Sequence, residues 1–196
     1  MNDYLAAALQ LGGIGDSLRD FTTVPALETW KGREELRRRY AYAIPNDEAI
    51  MACVRRSPII EVGAGLGYWA SLIAQQGGDI IASDNGSSRI LSTEAQYVPV
   101  ETMDASEAAA KYPDRSLLLI WPPYSEPMAA NALRAYAGRT VIYVGEDDGG
   151  CTGDEEFHRI LAEEWKESEG IAIPQWWGLH DALWIYERGG YGDGRH

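Results

Sequence analysis

Three kinds of residue in this 196-residue chain have types and spacing suited to chemistry. Gly63, Gly65 and Gly67 alternate in I-I-E-V-G-A-G-L-G-Y-W-A, directly after an apolar run and before a helical pattern. Glycines allow a sharp turn and let a ligand approach the backbone closely, and the helix start beyond them offers free N–H groups. Asp84 ends the next apolar run, I-I-A-S-D, 21 residues beyond Gly63. A carboxylate at that distance can accept both hydroxyl hydrogens of a ribose. The third kind is proton-handling groups near strand ends. Glu146 opens the acidic, glycine-rich run G-E-D-D-G-G-C-T-G-D, Tyr124 closes W-P-P-Y, and His180 lies in G-L-H-D-A. Glu146 is the preferred group to orient or deprotonate a substrate. His158 and Cys151 are read as structural, because neither has a catalytic partner at a recognised spacing.

The spacing of the glycines separates the possible ligands. A dinucleotide fingerprint needs a small residue at the sixth position for close packing of helix on strand. Counted from Gly63, that position is Tyr68. A nicotinamide cofactor is therefore disfavoured, and no lysine completes a phosphate loop.

These residues need a parallel sheet to position them. From Ser57 onward, short apolar runs alternate with helical patterns, which predicts an α/β fold. Strands are expected at 59–62, 80–83, 97–100, 117–121 and 140–144, with a helix at 68–76. Thr152 and Glu155 have capping-box spacing ahead of a helix whose apolar face is Phe157, Ile160, Leu161 and Trp165. Two final strands, 171–177 and 182–187, are joined by a tight connection and must be antiparallel. The result is a doubly wound, mostly parallel seven-stranded sheet with a C-terminal antiparallel hairpin. Residues 1–55 read as a helical extension, with helices in L-E-T-W-K-G-R-E-E-L-R-R-R-Y-A-Y-A and after Asn46, a plausible N-cap. Residues 56–188 form the ligand-binding domain, and 189–196 a flexible tail.

Glu61 to Gly67, E-V-G-A-G-L-G, resembles motif I of class I S-adenosylmethionine-dependent methyltransferases. The strand order extends the resemblance over about residues 55–188. It implies S-adenosylmethionine as cofactor, Glu61 near its methionine part, and Gly63, Gly65 and Gly67 making room for it. Asp84 matches the position of motif II. Asp104 and Ala105 resemble the motif III position near the adenine, although Asp104 also reads as a helix cap. W-P-P-Y is similar to motif IV of amino-group methyltransferases, in which Asp, Asn or Ser precedes Pro-Pro and an aromatic residue. Trp121 takes the polar place here and is counted with the cofactor contacts. Its indole donates one hydrogen bond and accepts none, so it cannot hold an amine by accepting hydrogens. Backbone carbonyls of Trp121 or Pro122 still can.

Composition narrows the partners. Net charge is −13, and the basic stretch K-G-R-E-E-L-R-R-R is interrupted by acids. A grip on a nucleic-acid backbone needs a basic face, so nucleic acid is not expected as a partner. No apolar window reaches membrane-spanning length, and no signal peptide is read. Two cysteines make neither a disulfide framework nor a zinc site, which fits reduced thiols in the cytoplasm. The expected activity is methyl transfer to a small molecule or protein side chain. The alternatives are an amino-group methyltransferase on nucleic acid and a cofactor-binding protein without transfer. Seven Trp and 11 Tyr against two Phe add rings that can surround a sulfonium or a planar acceptor.

Overall fold

The computed structural model describes residues 1–12, 14, 24–87 and 95–189. Its elements are α1 (Asp3–Leu11), α2 (Val24–Arg39), α3 (Asp47–Val54), β1 (Ile59–Val62), α4 (Tyr68–Gln75), β2 (Ile80–Asp84), β3 (Val100–Thr102), α5 (Ala105–Lys111), β4 (Ser116–Ile120), α6 (Met128–Ala135), β5 (Thr140–Gly145), α7 (Glu155–Glu164), β6 (Trp165–Ala172) and β7 (Ala182–Arg188). The expected tail at 190–196 and residues 88–94 of the β2–β3 loop lie outside the described residues.

One seven-stranded sheet runs β3-β2-β1-β4-β5-β7-β6. The first five strands are parallel, and β7 is antiparallel to both β5 and β6. Every residue of β1 is buried, as a central parallel strand covered on both faces requires. Because side chains alternate across a strand, Ile59, Leu118, Ile142, Val144 and Leu183 face one layer with α1, α3 and α4. Ile60, Val62, Leu117, Leu119, Val141 and Tyr143 face the other, against α5, α6 and α7. Chain order reverses between β1 and β4, which opens a crevice at the carboxyl ends of those strands.

The doubly wound sheet and its hairpin are as the sequence predicts, with four local corrections. β6 begins at Trp165, straight from α7, and ends at Ala172, so residues 173–181 form a longer connection than expected. Pro174 has no N–H to give a ladder. Trp165 leaves the helix in an extended conformation and stacks on Tyr136. β3 starts at Val100 instead of Tyr97, after Pro99, while the Tyr97 N–H donates to the Leu66 carbonyl at 2.9 Å. The cap of α7 is Asp154, which accepts from Phe157 N at 3.1 Å, and Thr152 is used elsewhere. Finally, the N-terminal apolar run is a helix, α1, capped by Asn2 and closed by Gly12 at φ 73°. Its Tyr4 is fully buried in the core shared with the sheet. Asn46 caps α3 as expected, accepting from Ala49 N at 2.9 Å.

Candidate functional site at the carboxyl ends of the strands

Gly63, Gly65 and Gly67 all have positive φ, between 57° and 76°. That left-handed run turns the chain from β1 into α4 within five residues and is strained for residues with a Cβ. A Cβ on Gly67 would stand 2.6 Å from Val98 Cγ2, and one on Gly63 would stand 3.0 Å from Met128 Cε. A Cβ on Gly65 meets nothing within 4 Å, so the middle of the loop faces open space.

Two buried carboxylates, at the end of β2 and within β1, belong to the elements around this loop. Asp84 is 4% exposed, and its oxygens accept from Gly65 N at 2.9 Å and Gly86 N at 2.7 Å. It therefore ties the glycine loop to the end of β2. Glu61 is 2% exposed, and its Oε2 has no hydrogen-bond partner. Burial pushes its carboxyl up to about 8, opposed by the Ala70 N–H and helped by the nearby Asp84 charge. Asp104 caps α5, its Oδ1 accepting from Ser106 N at 3.0 Å, and Ala105 behind it is buried.

At the end of β4, Trp121 has φ 51°, the only non-glycine residue with positive φ among those described. Such a backbone in a bulky residue costs roughly 1–3 kcal/mol and must be held by its surroundings. Here the Trp121 N–H donates to Val144 O at 2.7 Å, and the indole Nε1–H donates to Asp181 Oδ1 at 2.8 Å. The Pro122 carbonyl, read as a possible amine holder, already accepts from Gly153 N at 2.8 Å. Tyr124 is 63% exposed and turned to solvent.

Glu146, the expected base, is buried and bonded through both oxygens. Oε2 accepts from Cys151 N at 2.8 Å and Oε1 from His180 N at 2.9 Å. Burial would raise its carboxyl, but the hydrogen bonds to Cys151 and His180 outweigh it and hold the carboxyl below its ordinary value. A lowered, doubly hydrogen-bonded carboxylate is a poor base and a good clamp between the β5–α7 loop and the hairpin. His180 points its ring outward, with a side chain 80% exposed and Nδ1 3.5 Å from Glu146 Oε1. Thr152 completes the clamp, its Oγ1 accepting from Glu146 N at 2.7 Å beside the Tyr143 hydroxyl. His158 Nε2 bonds the Thr152 carbonyl at 2.8 Å, and burial with the neighbouring Glu146 pushes the Cys151 thiol up to about 12.

The N-terminal helices bring rings over this edge. Tyr4 stacks on Tyr40 at 5.0 Å, Tyr40 on Tyr97 at 6.2 Å, and Tyr42 on Trp121 at 4.9 Å. Trp176 donates to the Tyr4 hydroxyl at 3.0 Å. Tyr68 is buried, its hydroxyl accepting from Tyr4 N and donating to Asn2 Oδ1, both at 3.3 Å. The position that would be small in a dinucleotide fold thus anchors α1.

Sequence reading missed Tyr4 and Asp181. Asp181 is 1% exposed, yet its Oδ2 has no partner. Its one signal was a carboxylate at the start of the last strand, which no spacing rule connects to Trp121. Among the described residues, no group of three or more His, Cys, Asp or Glu is placed to hold a metal ion.

No protein-family model and no curated protein matches the chain. Solved structures do. A magnesium protoporphyrin IX methyltransferase from Synechocystis PCC 6803 with bound S-adenosylmethionine aligns at TM-score 0.54 and 14% identity, over 95% of this chain and 90% of that one. The same enzyme with bound S-adenosylhomocysteine aligns at 0.50 and 13%, over 94% of each chain. A protein assigned as an RNA methyltransferase from Pyrococcus horikoshii aligns at 0.50 and 9%, over 98% and 99%. At these identities the likeness is one of architecture, and with the strand order it is enough to say that the chain has the class I methyltransferase fold.

Proposed function

We propose that the protein binds S-adenosylmethionine in the crevice at Gly65 and transfers its methyl group to a small molecule. One observation carries the reading. Gly65 alone of the three loop glycines opens onto free space; its N–H is held by Asp84 at the end of β2, and Glu61, on the strand that leads into the loop, is buried with an unpaired oxygen and feels the Asp84 charge. Both features suit a ligand with hydroxyls and an ammonium group, and S-adenosylmethionine has each.

In this reading Asp84 takes the ribose hydroxyls while it holds the loop, and Glu61 takes the ammonium group. Asp104 and Ala105 lie at the adenine end, and Trp121 at the methyl end. The bound cofactor would supply an electrophilic methyl group on sulfur. The chain's own work is to align the acceptor with it and to exclude water. Glu146 does this indirectly, by fixing the loop that carries Cys151 to the connection that carries His180. The helices of residues 1–55 form the cover over the acceptor side. Tyr124 and His180, both exposed, would meet the acceptor at the mouth.

The neighbours that support the cofactor hold bound S-adenosylmethionine or S-adenosylhomocysteine. A small molecule is preferred over nucleic acid because net charge is −13. No helix among the described residues is long and apolar enough to cross a membrane. The two cysteines are free, which suits the cytoplasm as the working compartment. The test is formation of S-adenosylhomocysteine from S-adenosylmethionine with a library of small phenols, amines, acids and thiols. Turnover by wild type that disappears in Gly65→Val supports the reading. Tight cofactor binding with no turnover across the library would leave a binding protein without transfer.

A further inference from the structure

The motif-like W-P-P-Y lacks a polar residue where an amino-group methyltransferase has one, but the fold brings a carboxylate from far along the chain against the Trp121 indole. We propose that Asp181 is the acceptor-binding carboxylate of this site and receives the proton of a neutral O–H or N–H acceptor on an aromatic ring. The assignment rests on the cofactor reading above and adds the acceptor class.

Four observations meet at Asp181. It immediately precedes β7, whose Ala182 pairs with Gly145 at the end of β5, so it stands at the same sheet edge as Trp121. Its Oδ1 accepts the Trp121 indole N–H at 2.8 Å, which fixes the carboxylate's orientation. Its Oδ2 is buried without a partner, in a residue 1% exposed. A buried unpaired carboxylate oxygen costs the folded protein free energy unless something donates to it. Trp121 also holds φ 51°, an unfavourable backbone for a residue with a Cβ. The positive-φ backbone at Trp121 and the unpaired oxygen of Asp181 thus fall on one hydrogen-bonded pair.

The surroundings set the class of acceptor. Tyr42 stacks on Trp121 at 4.9 Å with 23° between the planes and is itself 44% exposed, which leaves aromatic surface beside the pair for a flat ring. Arg33 of α2 lies within electrostatic reach of Asp181 and disfavours a cationic acceptor. The other titratable groups that act on Asp181 are Glu146 after β5, His180 beside it, Tyr4 of α1, Tyr143 of β5 and Cys151. Burial first, then Glu146, lifts the Asp181 carboxyl to about 6, while Trp121, Arg33 and His180 oppose the rise. It is ionised at neutral pH yet more basic than an ordinary carboxylate.

The step balances simply. A lone pair on the acceptor's oxygen or nitrogen forms a bond to the methyl carbon. The carbon–sulfur bond breaks, and its electron pair stays on sulfur, giving S-adenosylhomocysteine. The acceptor's proton passes to Asp181 Oδ2.

The experiment follows the Trp121 indole N–H resonance in the full-length 15N-labelled protein, assigned by its loss in Trp121→Phe. We expect it to titrate with a midpoint near 6. Phenol and aniline, as one-ring O–H and N–H probes, should shift it, whereas anisole, which has no donor, should not. The larger of the first two shifts tells oxygen from nitrogen acceptors. Asp181→Asn should abolish the titration and the probe shifts, and keep S-adenosylhomocysteine affinity within twofold. Its kcat on any phenol or aromatic amine that wild type methylates should fall about 10²–10⁴-fold, with little change in KM and a flattened pH–rate profile. A resonance that does not titrate, equal shifts by anisole and phenol, or turnover by Asp181→Asn within threefold of wild type would each overturn the assignment. Failure of wild type to bind S-adenosylhomocysteine would instead overturn the cofactor reading, while the probe shifts still report on Asp181.

Discussion

Glu61 makes the cofactor reading sensitive to pH in a way that can be calculated. It sits in the central strand, opposite Ala82 of β2 and Leu118 of β4, with 2% of its surface exposed. Burial lifts its carboxyl from the ordinary 4.5 to about 8, so the ligand-free protein carries it protonated near neutrality. Pairing with the cofactor's ammonium group requires the carboxylate, so binding below about pH 8 must release a proton. Each pH unit below that value then costs about 1.4 kcal/mol, or tenfold in affinity. Between pH 8, where the carboxyl is half ionised, and pH 6 the S-adenosylhomocysteine affinity should drop about 50-fold, approaching the one-proton slope. Calorimetry in two buffers of different ionisation enthalpy reads the released proton directly. Glu61→Gln should flatten the profile and weaken binding at pH 8.5, which also separates the protein's titration from the ligand's. In the free protein the folded-state value is the raised one. The favourable contribution is therefore complete below 4.5 and is lost as pH rises through about 8. Glu61→Gln should accordingly raise Tm at pH 8.5 and leave it nearly unchanged at pH 4. A wild-type affinity that is level from pH 6 to 8.5 with no proton released, or an equal slope in Glu61→Gln, would refute the reasoning.

Other outcomes follow from the same geometry. Asp84→Ala should weaken S-adenosylhomocysteine binding by about 1.5–3 kcal/mol in calorimetry, for loss of a charged hydrogen bond to the ligand, and it also frees the Gly65 N–H. Glu146→Gln keeps one acceptor oxygen where two part-buried N–H groups need one each. It should lower stability by about 1–3 kcal/mol in chemical unfolding, with cofactor affinity intact and turnover reduced through kcat as the loop loosens. Net charge −13 predicts no complex with plain duplex DNA at physiological salt. A salt-sensitive submicromolar complex in a filter or anisotropy assay would contradict the small-molecule preference.

The sheet was legible because its signals are local. Short apolar runs alternating with helical patterns read as buried strands, and the short path between the last two strands allows only an antiparallel pair. Boundaries failed where a side chain suits two settings. Trp165 has the spacing of an α7 face residue, yet it pairs with Arg188 in β6. Thr152 has capping-box spacing, but its hydroxyl is taken by Tyr143 and Glu146, and Asp154 caps the helix. The glycine loop and Asp84 were legible from one motif and one interval. Glu146 was picked for its place at a strand end, which sequence shows, but its bonds to Cys151 and His180 span 5 and 34 residues and are tertiary. The Trp121–Asp181 pair is 60 residues apart and follows no pattern of spacing. Its existence depends on how β4, β5 and β7 align.

The most direct measurement of the central claim is calorimetric titration of the full-length protein with S-adenosylhomocysteine and, separately, with NAD, repeated on Gly65→Val. Gly65 has φ 57° and open space where a Cβ would stand, so the branched side chain strains the loop and fills the crevice. The account predicts stoichiometric binding of S-adenosylhomocysteine to wild type, none detectable to Gly65→Val with its circular dichroism unchanged, and no binding of NAD to either. Binding of NAD in place of S-adenosylhomocysteine, or undiminished S-adenosylhomocysteine affinity in folded Gly65→Val, would contradict it.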